Sequence, residues 1–371
     1  MKNKRALILL NLGTPQSPKP RDVGTYLKEF LMDPFVVDIP WIFRWILVHL
    51  LIVPRRKVAS GKLYQSIWTE RGSPLLFHLQ DLRDRVVSEL GDPSCQVEIA
   101  MRYGEPSIEQ ALRRVQAENC NQITVFPLYP QYAESSTRSS RREVKRVAAL
   151  LGIGKIDFIP AFYADPSFIR SYVELVQAAF DQGRPEHLLM SFHGLPERHV
   201  KRTDRSDGRT HCLPERESVG GSCCDQITVA NRDCYRAQCF DTARKIAAGV
   251  GLKKNEYSVS FQSRLGRTVW IRPYTDVVIP ELARKGVKKL AVACPSFVAD
   301  CLETLEENGI RGTEAFHSAG GKDFTAIPCP NSEATWVKAV VEIFRKFEER
   351  LTTERGASVH ASDVSPDAML D

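Results

Sequence analysis

The sequence predicts an α/β protein with two domains, each built on a four-stranded parallel sheet flanked by helices. Short apolar runs alternate with amphipathic stretches along the chain, and this βαβα order is typical of parallel sheets. The apolar runs are continuous, as expected for strands that helices cover on both faces. A length of 371 residues is enough for two domains of ordinary size.

The predicted elements form two sets, with a boundary near residue 160. The strands are expected at 5–13, 96–104, 122–130 and 155–162, and then at 187–195, 257–263, 289–297 and 324–329. Helices are expected at 74–90, 166–181, 240–250, 276–285 and 332–350. The first helix has the clearest pattern, because Leu75, Leu79, Leu82, Val86 and Leu90 share one face at helical spacing.

The composition excludes several classes of protein. With 43% hydrophobic and 26% charged residues, the chain can bury a core and is not disordered. Its net charge of +6 permits an acidic ligand or an anionic membrane surface but is too weak to indicate nucleic-acid binding. No apolar run reaches the roughly 18 residues of a transmembrane helix. The start of the chain is predicted as a strand rather than a signal peptide, so we expect a cytoplasmic protein.

Three segments depart from the alternating pattern. Segment 41–53 is apolar apart from Arg44 and His49, and it is too short to span a bilayer as a helix. Segment 208–239 is polar and holds five of the ten cysteines. Residues 352–371 form a polar tail that we expect to be frayed.

Polar and aromatic residues collect where the predicted strands end, which is where open α/β sheets bind ligands. The residues at these ends include Asn11, Arg102, Tyr103, Tyr132, Ser139, His193, Gln262, Trp270, Ser296 and Phe297. Any one of these loops is equally well explained by ordinary turns and caps. Six of them at the same edge favour a cleft. The glycine fingerprints of nucleotide-binding loops are absent from the sequence, so a ligand held by side chains between two lobes is expected.

Two features of the second set can carry chemistry. His193 follows an apolar run, where a histidine can act as a base, a metal ligand or a plain capping residue. Asp300, Glu303 and Glu307 share one face of a predicted helix. Such a line of carboxylates can deliver a cation or accept protons, although Asp300 can equally be a helix cap.

Seven segments of the chain resemble the bacterial ferrochelatases of haem biosynthesis, which insert ferrous iron into a porphyrin. They are LLNLGTP at 9–15, SIWTERGSPL at 66–75, AMRYGEPSI at 100–108, FPLYPQYAESSTRSS at 126–140, SFHGLPERH at 191–199, YSVSFQSRLGR at 257–267 and PSFVADCLETLEE at 295–307. The resemblance implies two Rossmann-like domains in the chelatase fold. The first would comprise 1–160 plus 331–350, where the last helix returns to it, with a hydrophobic lip at 41–53. The second would comprise 161–330 with the cysteine-rich insertion 208–239.

The resemblance also implies the site residues. His193 and Glu303 match the family's catalytic pair, and His193, Glu303 and Glu307 would meet the Fe²⁺ substrate. The residues that match the family's porphyrin cleft, or are suited by type to hold the ring, are Arg102, Tyr103, Tyr132, Ser139, Trp270 and Phe297. One departure is Cys301, because many members have histidine there, which puts an iron or proton route through that position in doubt. The acidic run also ends early, at Asn308.

The chemistry needs these residue types. A flat porphyrin hides its nitrogen lone pairs, so a site that fits a distorted ring resembles the transition state. Two N–H protons must leave, and neutral His193 is the natural acceptor near pH 7. Whether His193 or Glu303 meets iron first stays open. The expected reaction inserts Fe²⁺ into protoporphyrin IX. The alternatives are a chelatase for another tetrapyrrole or metal, such as coproporphyrin III or cobalt, and a non-catalytic haem or Fe–S sensor.

The lip and the insertion carry two further expectations. By spacing alone, 41–53 is a buried amphipathic helix, but the resemblance implies peripheral association with the inner face of the cell membrane. In the insertion, Cys212, Cys224, Cys234 and Cys239 are expected to hold a [2Fe–2S] cluster, with Cys223 as a substitute for Cys224. Zinc and free thiols are the alternatives. A homodimer is compatible with the sequence, which shows no interface pattern.

Overall fold

A computed structural model describes residues 4–203, 205, 223–264, 266 and 268–362. The first half contains β1 (Arg5–Gly13), α1 (Pro20–Leu31), α2 (Trp41–Ile46), α3 (Val53–Ile67), α4 (Pro74–Leu90), β2 (Cys95–Tyr103), α5 (Ile108–Ala117), β3 (Gln122–Pro127), α6 (Ser139–Leu150) and β4 (Ile156–Phe158). The second half contains α7 (Pro166–Gln182), β5 (His187–His193), α8 (Glu197–Thr203), α9 (Tyr235–Val250), β6 (Tyr257–Gln262), α10 (Thr275–Arg284), β7 (Lys289–Ala293), α11 (Gly312–Ser318), β8 (Asp323–Ala326) and α12 (Ala334–Ser362).

The strands form two four-stranded parallel sheets, which confirms the predicted fold class. The first sheet has the order β2–β1–β3–β4 and the second has the order β6–β5–β7–β8. The central strands β1 and β5 are buried along almost their whole length, as continuous apolar runs predict. In each sheet, the next two strands along the chain lie on opposite sides of the first: β2 and β3 flank β1, and β6 and β7 flank β5. Such a change in strand order opens a crevice at the carboxyl ends of the strands.

Several boundaries differ from the sequence expectation, among them the fourth strand, which is expected at 155–162 and forms only over Ile156–Phe158. The strand β3 ends at Pro127 and β7 ends at Ala293, both earlier than predicted. Neither Pro127 nor Pro295, two residues after β7, can donate to the hydrogen-bond ladder. The tail expected to fray after Thr352 instead continues α12 to Ser362. No proline interrupts this stretch, and the hydroxyls of Thr352 and Thr353 donate to carbonyls one turn earlier.

Three short segments are π-helical, which neither periodicity nor composition predicts. They are Leu47–Ile52, which joins α2 to α3, Glu134–Arg138, which precedes α6, and Glu303–Arg311, which precedes α11. Such segments occur frequently at functional sites. All three lie in stretches that the sequence analysis singled out: the first in the apolar segment 41–53, the second in the motif at 126–140, and the third in the acidic run.

The largest apolar cluster extends across both halves of the molecule. It joins residues of β1, β2 and α4 to residues of β5, α7, α9 and α12. The helix α12 packs against both α4 and α7, and its Glu348 accepts a 2.6 Å hydrogen bond from Arg5 of β1. Trp336 of α12 is fully buried against the rings of Phe162 and Phe168. The last helix therefore covers the first half of the chain as well as the second.

Candidate active site

On the side of the second sheet, His193 ends β5 and is oriented by its neighbours. Its backbone N–H donates to Ser296 Oγ at 2.9 Å, and its carbonyl accepts from Tyr235 Oη at 2.8 Å. The ring Nδ1 lies 2.6 Å from the Gly194 carbonyl oxygen, which can only accept, so Nδ1 carries the hydrogen. The other ring nitrogen, Nε2, then has a lone pair available to take a proton.

Two aromatic residues predicted to contact substrate lie beside this histidine. The centroid of the Phe297 ring is 6.2 Å from that of His193. Trp270 forms a β-bridge with Pro196, and a β-carbon placed on Gly194 would lie 3.2 Å from its Cε3 atom. Glycine at 194 therefore allows the Trp270 ring to pack against the His193 loop.

The acidic residues lie on the π-helical segment Glu303–Arg311. The two carboxylate oxygens of Glu307 accept hydrogen bonds from Ser263 N at 2.8 Å and from Ser263 Oγ at 2.5 Å. Burial raises the pKa of Glu307, and the charge of Glu303 raises it further, whereas the Ser263 hydrogen bonds and the charge of His193 lower it. Glu303 and His193 therefore both influence the protonation of Glu307 electrostatically.

Asp300 does not belong to this line of carboxylates. Its Oδ1 accepts from Thr304 Oγ1 at 2.9 Å and from the Cys329 N–H at 3.2 Å, and its Oδ2 accepts from Asn331 Nδ2 at 2.7 Å. Asp300 is thus buried and fully engaged in holding the start of the helix. The capping interpretation from sequence is also wrong, because the acidic segment has Leu302 at its N-cap and no side-chain capping hydrogen bond. Cys301 is also buried, and burial raises the pKa of its thiol.

On the side of the first sheet, one buried carboxylate joins three of the predicted substrate-binding residues. The Oδ2 atom of Asp33 accepts from Arg102 Nη2 at 2.6 Å, from Tyr103 Oη at 2.8 Å and from Ser139 Oγ. Arg102 also donates through Nε to Ser139 Oγ at 2.8 Å, and its guanidinium lies 4.4 Å from the Tyr103 ring centroid.

Asp33 is a residue that sequence reasoning missed. It follows α1 and precedes Pro34, and its Oδ1 accepts from the Phe35 N–H at 2.7 Å, so its local signal is that of a turn. Its three partners are far away in sequence. Tyr103 and Ser139 are each 1% exposed. These two side chains therefore lie behind the surface of the cleft and support it, because almost none of their own surface is exposed.

The two sides of the site meet through an apolar cluster. Tyr26 and Tyr64 pack with Tyr103 there, and Leu302 and Leu305 of the acidic segment pack against them. Burial raises the pKa of Tyr26 and of Tyr64, and the negative charge of Glu303 raises both further. The Asp33 group and the Glu303–Glu307 pair therefore face one shared region. Tyr132 is half-buried on a different part of the wall, where its N–H donates to Gln238 of α9 at 2.6 Å.

The cysteines of the insertion lie partly outside the described residues. Cys212 is among the residues that are not described, whereas Cys224, Cys234 and Cys239 are buried in the large apolar cluster. The sulfur atoms of Cys223 and Cys224 are 3.9 Å apart, and Arg236 Nη1 donates to Cys224 at 3.0 Å. Within the described part of the chain, no three His, Cys, Asp or Glu side chains are grouped to hold a metal ion. The described residues therefore do not form a complete cluster site.

The lip is exposed rather than buried. Trp41, Phe43 and Leu50 are 60%, 62% and 58% exposed, which excludes a buried amphipathic helix for this face. On the opposite face, Arg44 is buried, and its Nη1 donates to the carbonyls of Val37 and Ile39 at 3.0 and 3.1 Å. None of the described helices is both long enough and apolar enough to cross a membrane.

Comparisons with known proteins agree with this geometry. The family model described as Ferrochelatase matches residues 4–347. A curated ferrochelatase of Coxiella burnetii is 45% identical over 93% of this chain and 94% of its own length. Those of Stutzerimonas stutzeri and Pseudomonas aeruginosa are both 44% identical, over 94% and 92% of this chain and 99% and 97% of their own lengths.

One solved structure shows the same fold at low sequence identity. SirB from Bacillus subtilis, solved with Fe³⁺, superposes with a TM-score of 0.51 at 13% identity, over 92% of this chain and 95% of that chain. The two parallel sheets are thus arranged as in the chelatase fold. With a family match that spans both sheets and relatives near 45% identity, the chain belongs to the ferrochelatase family and is a ferrochelatase enzyme.

Proposed function

We propose that this enzyme inserts Fe²⁺ into protoporphyrin IX and that His193, Glu303 and Glu307 handle the two displaced protons. One observation carries the proposal: Nδ1 of His193 is bound to the Gly194 carbonyl, so Nε2 has its lone pair available, and His193 interacts electrostatically with the Glu307 carboxylate. A neutral imidazole with a fixed tautomer is suited to accept a pyrrole proton.

The carboxylates supply the next step. A raised pKa lets Glu307 hold a proton at a higher pH than an exposed glutamate, so it can take the proton from His193 and pass it on. The same carboxylate oxygens are suitable ligands for the incoming ferrous ion. Proton release and iron entry use the same acidic segment. The two positive charges of the entering Fe²⁺ replace those of the two protons that leave, so the net charge of the site is unchanged.

The opposite wall binds and bends the macrocycle in this proposal. Trp270 and Phe297 offer aromatic surface to the ring beside His193. Arg102, whose side chain is 13% exposed, provides a guanidinium for a propionate, and Tyr103, Ser139 and Asp33 hold it in place. Tyr132 is a further wall residue. A rigid wall favours a distorted ring over a flat one, and such a ring exposes its nitrogen lone pairs.

The test is an anaerobic assay of the purified enzyme with Fe²⁺ and protoporphyrin IX, followed by absorbance. We expect metalloporphyrin formation that falls at least 100-fold in His193→Ala and Glu303→Gln. His317→Ala, at an exposed position of α11, is the matched control. Full activity in His193→Ala would refute the assigned role. Faster turnover of coproporphyrin III or Co²⁺ in the same assay would identify the alternative substrate, and tight porphyrin binding without metallation would indicate a sensor.

We propose separately that Cys212, Cys234 and Cys239, with Cys224 or Cys223, hold a [2Fe–2S] cluster. Its support is the shared burial of three cysteines and the thiolate chemistry of the set. No step of metal insertion needs it, since the reaction transfers no net electron. Anaerobically purified protein should contain iron and acid-labile sulfide and absorb in the visible range. Colourless protein with zinc alone would refute the cluster.

We also propose that the lip attaches the enzyme to the cytoplasmic face of the membrane. Its exposed Trp41 and Phe43 are suited to the lipid interface. Trp41→Ser with Phe43→Ser should abolish flotation with lipid vesicles. We further propose that 1–160 plus 331–350 form one domain and that 161–330 form the other, which the two separate sheets support. A homodimer is compatible with the sequence, and sedimentation velocity tests it.

A further inference from the structure

A cavity of about 420 Å³ lies behind the lip, away from His193. One wall is a face of α1, with Arg21, Gly24 and Lys28. These residues are three or four apart and share one side of the helix. The other wall belongs to the continuous helical segment that runs from α2 through the π-helical turn to α3, and it includes His49 and Lys57. None of these lining residues takes part in the assigned chemistry.

The lining is basic and has no acidic residue. Arg21 and Lys28 of α1 and Lys57 of α3 line the same space. Within the described part of the chain, no carboxylate forms an ion pair with any of them. A β-carbon placed on Gly24 would lie 3.6 Å from Lys57 Cδ, at ordinary contact distance, so the two walls are close together at this point. Three unpaired cations around one cavity favour an anion, and a phosphate suits it in size and charge.

The position of the cavity on this helical segment identifies the source of that anion. Within the lip, the last exposed large apolar residues are Leu50 and Leu51, next to His49 of the cavity. Lys57 follows Leu50 by seven residues, which is about 10 Å along a helix. An apolar face buried in the acyl boundary would therefore carry the cavity to the depth of the lipid headgroups. The exposed Arg55 and Arg56 lie between the two levels.

We propose that this cavity binds the headgroup phosphate of an anionic phospholipid while the lip is inserted in the bilayer. This inference rests on the proposed membrane association and adds its lipid class and its headgroup site. The apolar lip residues supply attachment to any bilayer. Arg21, Lys28 and Lys57 supply the preference for an anionic one.

The experiment measures flotation of the full-length enzyme with vesicles of phosphatidylcholine alone or mixed with phosphatidylglycerol. The wild type should bind the anionic vesicles more tightly. In Lys28→Gln with Lys57→Gln, binding to anionic vesicles should fall roughly 30-fold, at about 5-fold for each cation removed. Its weaker binding to phosphatidylcholine should not change. Lys253→Gln with Lys254→Gln, an exposed pair before β6, removes the same charge elsewhere and should bind as the wild type. Chelatase activity in detergent should be equal in all of these proteins.

Each contrary result has a separate meaning. If the cavity variant binds anionic vesicles as tightly as the control pair, the headgroup site is refuted and the membrane proposal survives. If the wild type binds neither vesicle, both are refuted, although the chelatase assignment is not affected. A third arm adds inorganic phosphate without lipid. Millimolar phosphate could raise the melting temperature of the wild type but not of the cavity variant, while the two bind vesicles equally. That result would show that the site binds soluble phosphate, and it would refute the lipid assignment.

Discussion

Two carboxylates, the buried Asp33 and the half-buried Glu307, lie on opposite sides of the site and have different surroundings. Asp33 faces a guanidinium and two hydroxyls, all of which donate to one of its oxygens. Glu307 receives its hydrogen bonds from the backbone and hydroxyl of one serine, and a second carboxylate is close by. Asp33 is thus paired with a cation, whereas the charge of Glu307 is only partly compensated.

The difference teaches which carboxylate orders the site and which one can exchange protons. A carboxylate with a cation and several donors holds its neighbours in a single arrangement. Burial raises the pKa of Glu307, so this carboxylate keeps its proton to a higher pH than an exposed glutamate does. When it ionises, the native state loses stability. We therefore expect Asp33 variants to affect mainly folding and substrate binding. Glu307 variants should affect mainly turnover.

The largest expected effect comes from Asp33→Asn. This change leaves the guanidinium of Arg102, which is 13% exposed, without its counter-charge. Removing one partner of a buried ion pair costs about 3–5 kcal/mol of unfolding free energy. Urea denaturation measures it, and the matched control is Asp81→Asn. Asp81 accepts two hydrogen bonds from Arg71 on the surface, and that pair should contribute about 1 kcal/mol or less.

Equal losses in the two variants would show that Asp33 does not organise the wall. If Asp33→Asn does not fold, Ser139→Ala is the milder probe. It removes one donor and keeps the ion pair, so the Michaelis constant for the porphyrin should rise while turnover is retained.

Glu307→Gln should lower turnover about 100-fold, because it removes a proton acceptor and leaves the fold intact. Its stability should respond to pH in a defined direction. Since the native pKa of Glu307 is raised, the wild type loses stability as the pH rises from the unfolded value, near 4.3, through the native one. The glutamine variant has no such loss. The melting temperature of the variant relative to the wild type should therefore increase between pH 4 and pH 8, and a constant difference would contradict the assignment.

The smallest effect is expected for Asp38→Asn, five residues after Asp33 but at a more exposed position. Asp38 accepts hydrogen bonds from Arg198 at 3.0 Å and from Arg202 at 3.2 Å, and so joins the loop before the lip to α8. The Arg198 hydrogen bond holds its pKa well below the usual range. Because both arginines are nearly half exposed, the loss at pH 7 should be about 1 kcal/mol.

The sign of this effect distinguishes Asp38 from Glu307. A lowered native pKa stabilises the fold above the unfolded value near 3.9, and that stabilisation is lost as the pH falls through the native value. The melting temperatures of wild type and Asp38→Asn should therefore converge in acid. If they diverge instead, the ion pairs with α8 do not form in solution.

The sequence by itself determined the two parallel sheets, the strand that ends at His193 and the segment that carries Glu303 and Glu307. These features depend on local apolar runs and on short motifs, which a chain displays without its tertiary contacts. The expectation that the tail frays after Thr352 was wrong for 353–362, where a polar composition conceals an uninterrupted helix, and 363–371 lie outside the described residues.

Only the tertiary structure decided which side chains act together. Asp33 is 69 residues from Arg102 and 106 residues from Ser139, and nothing local to any of them indicates that they share a hydrogen-bond acceptor. Likewise, the basic residues of the cavity behind the lip come together only when α1 and α3 pack against each other. The physical reason is the same in both cases, since hydrogen bonds and charges act over a few ångströms of space, whatever the distance along the chain.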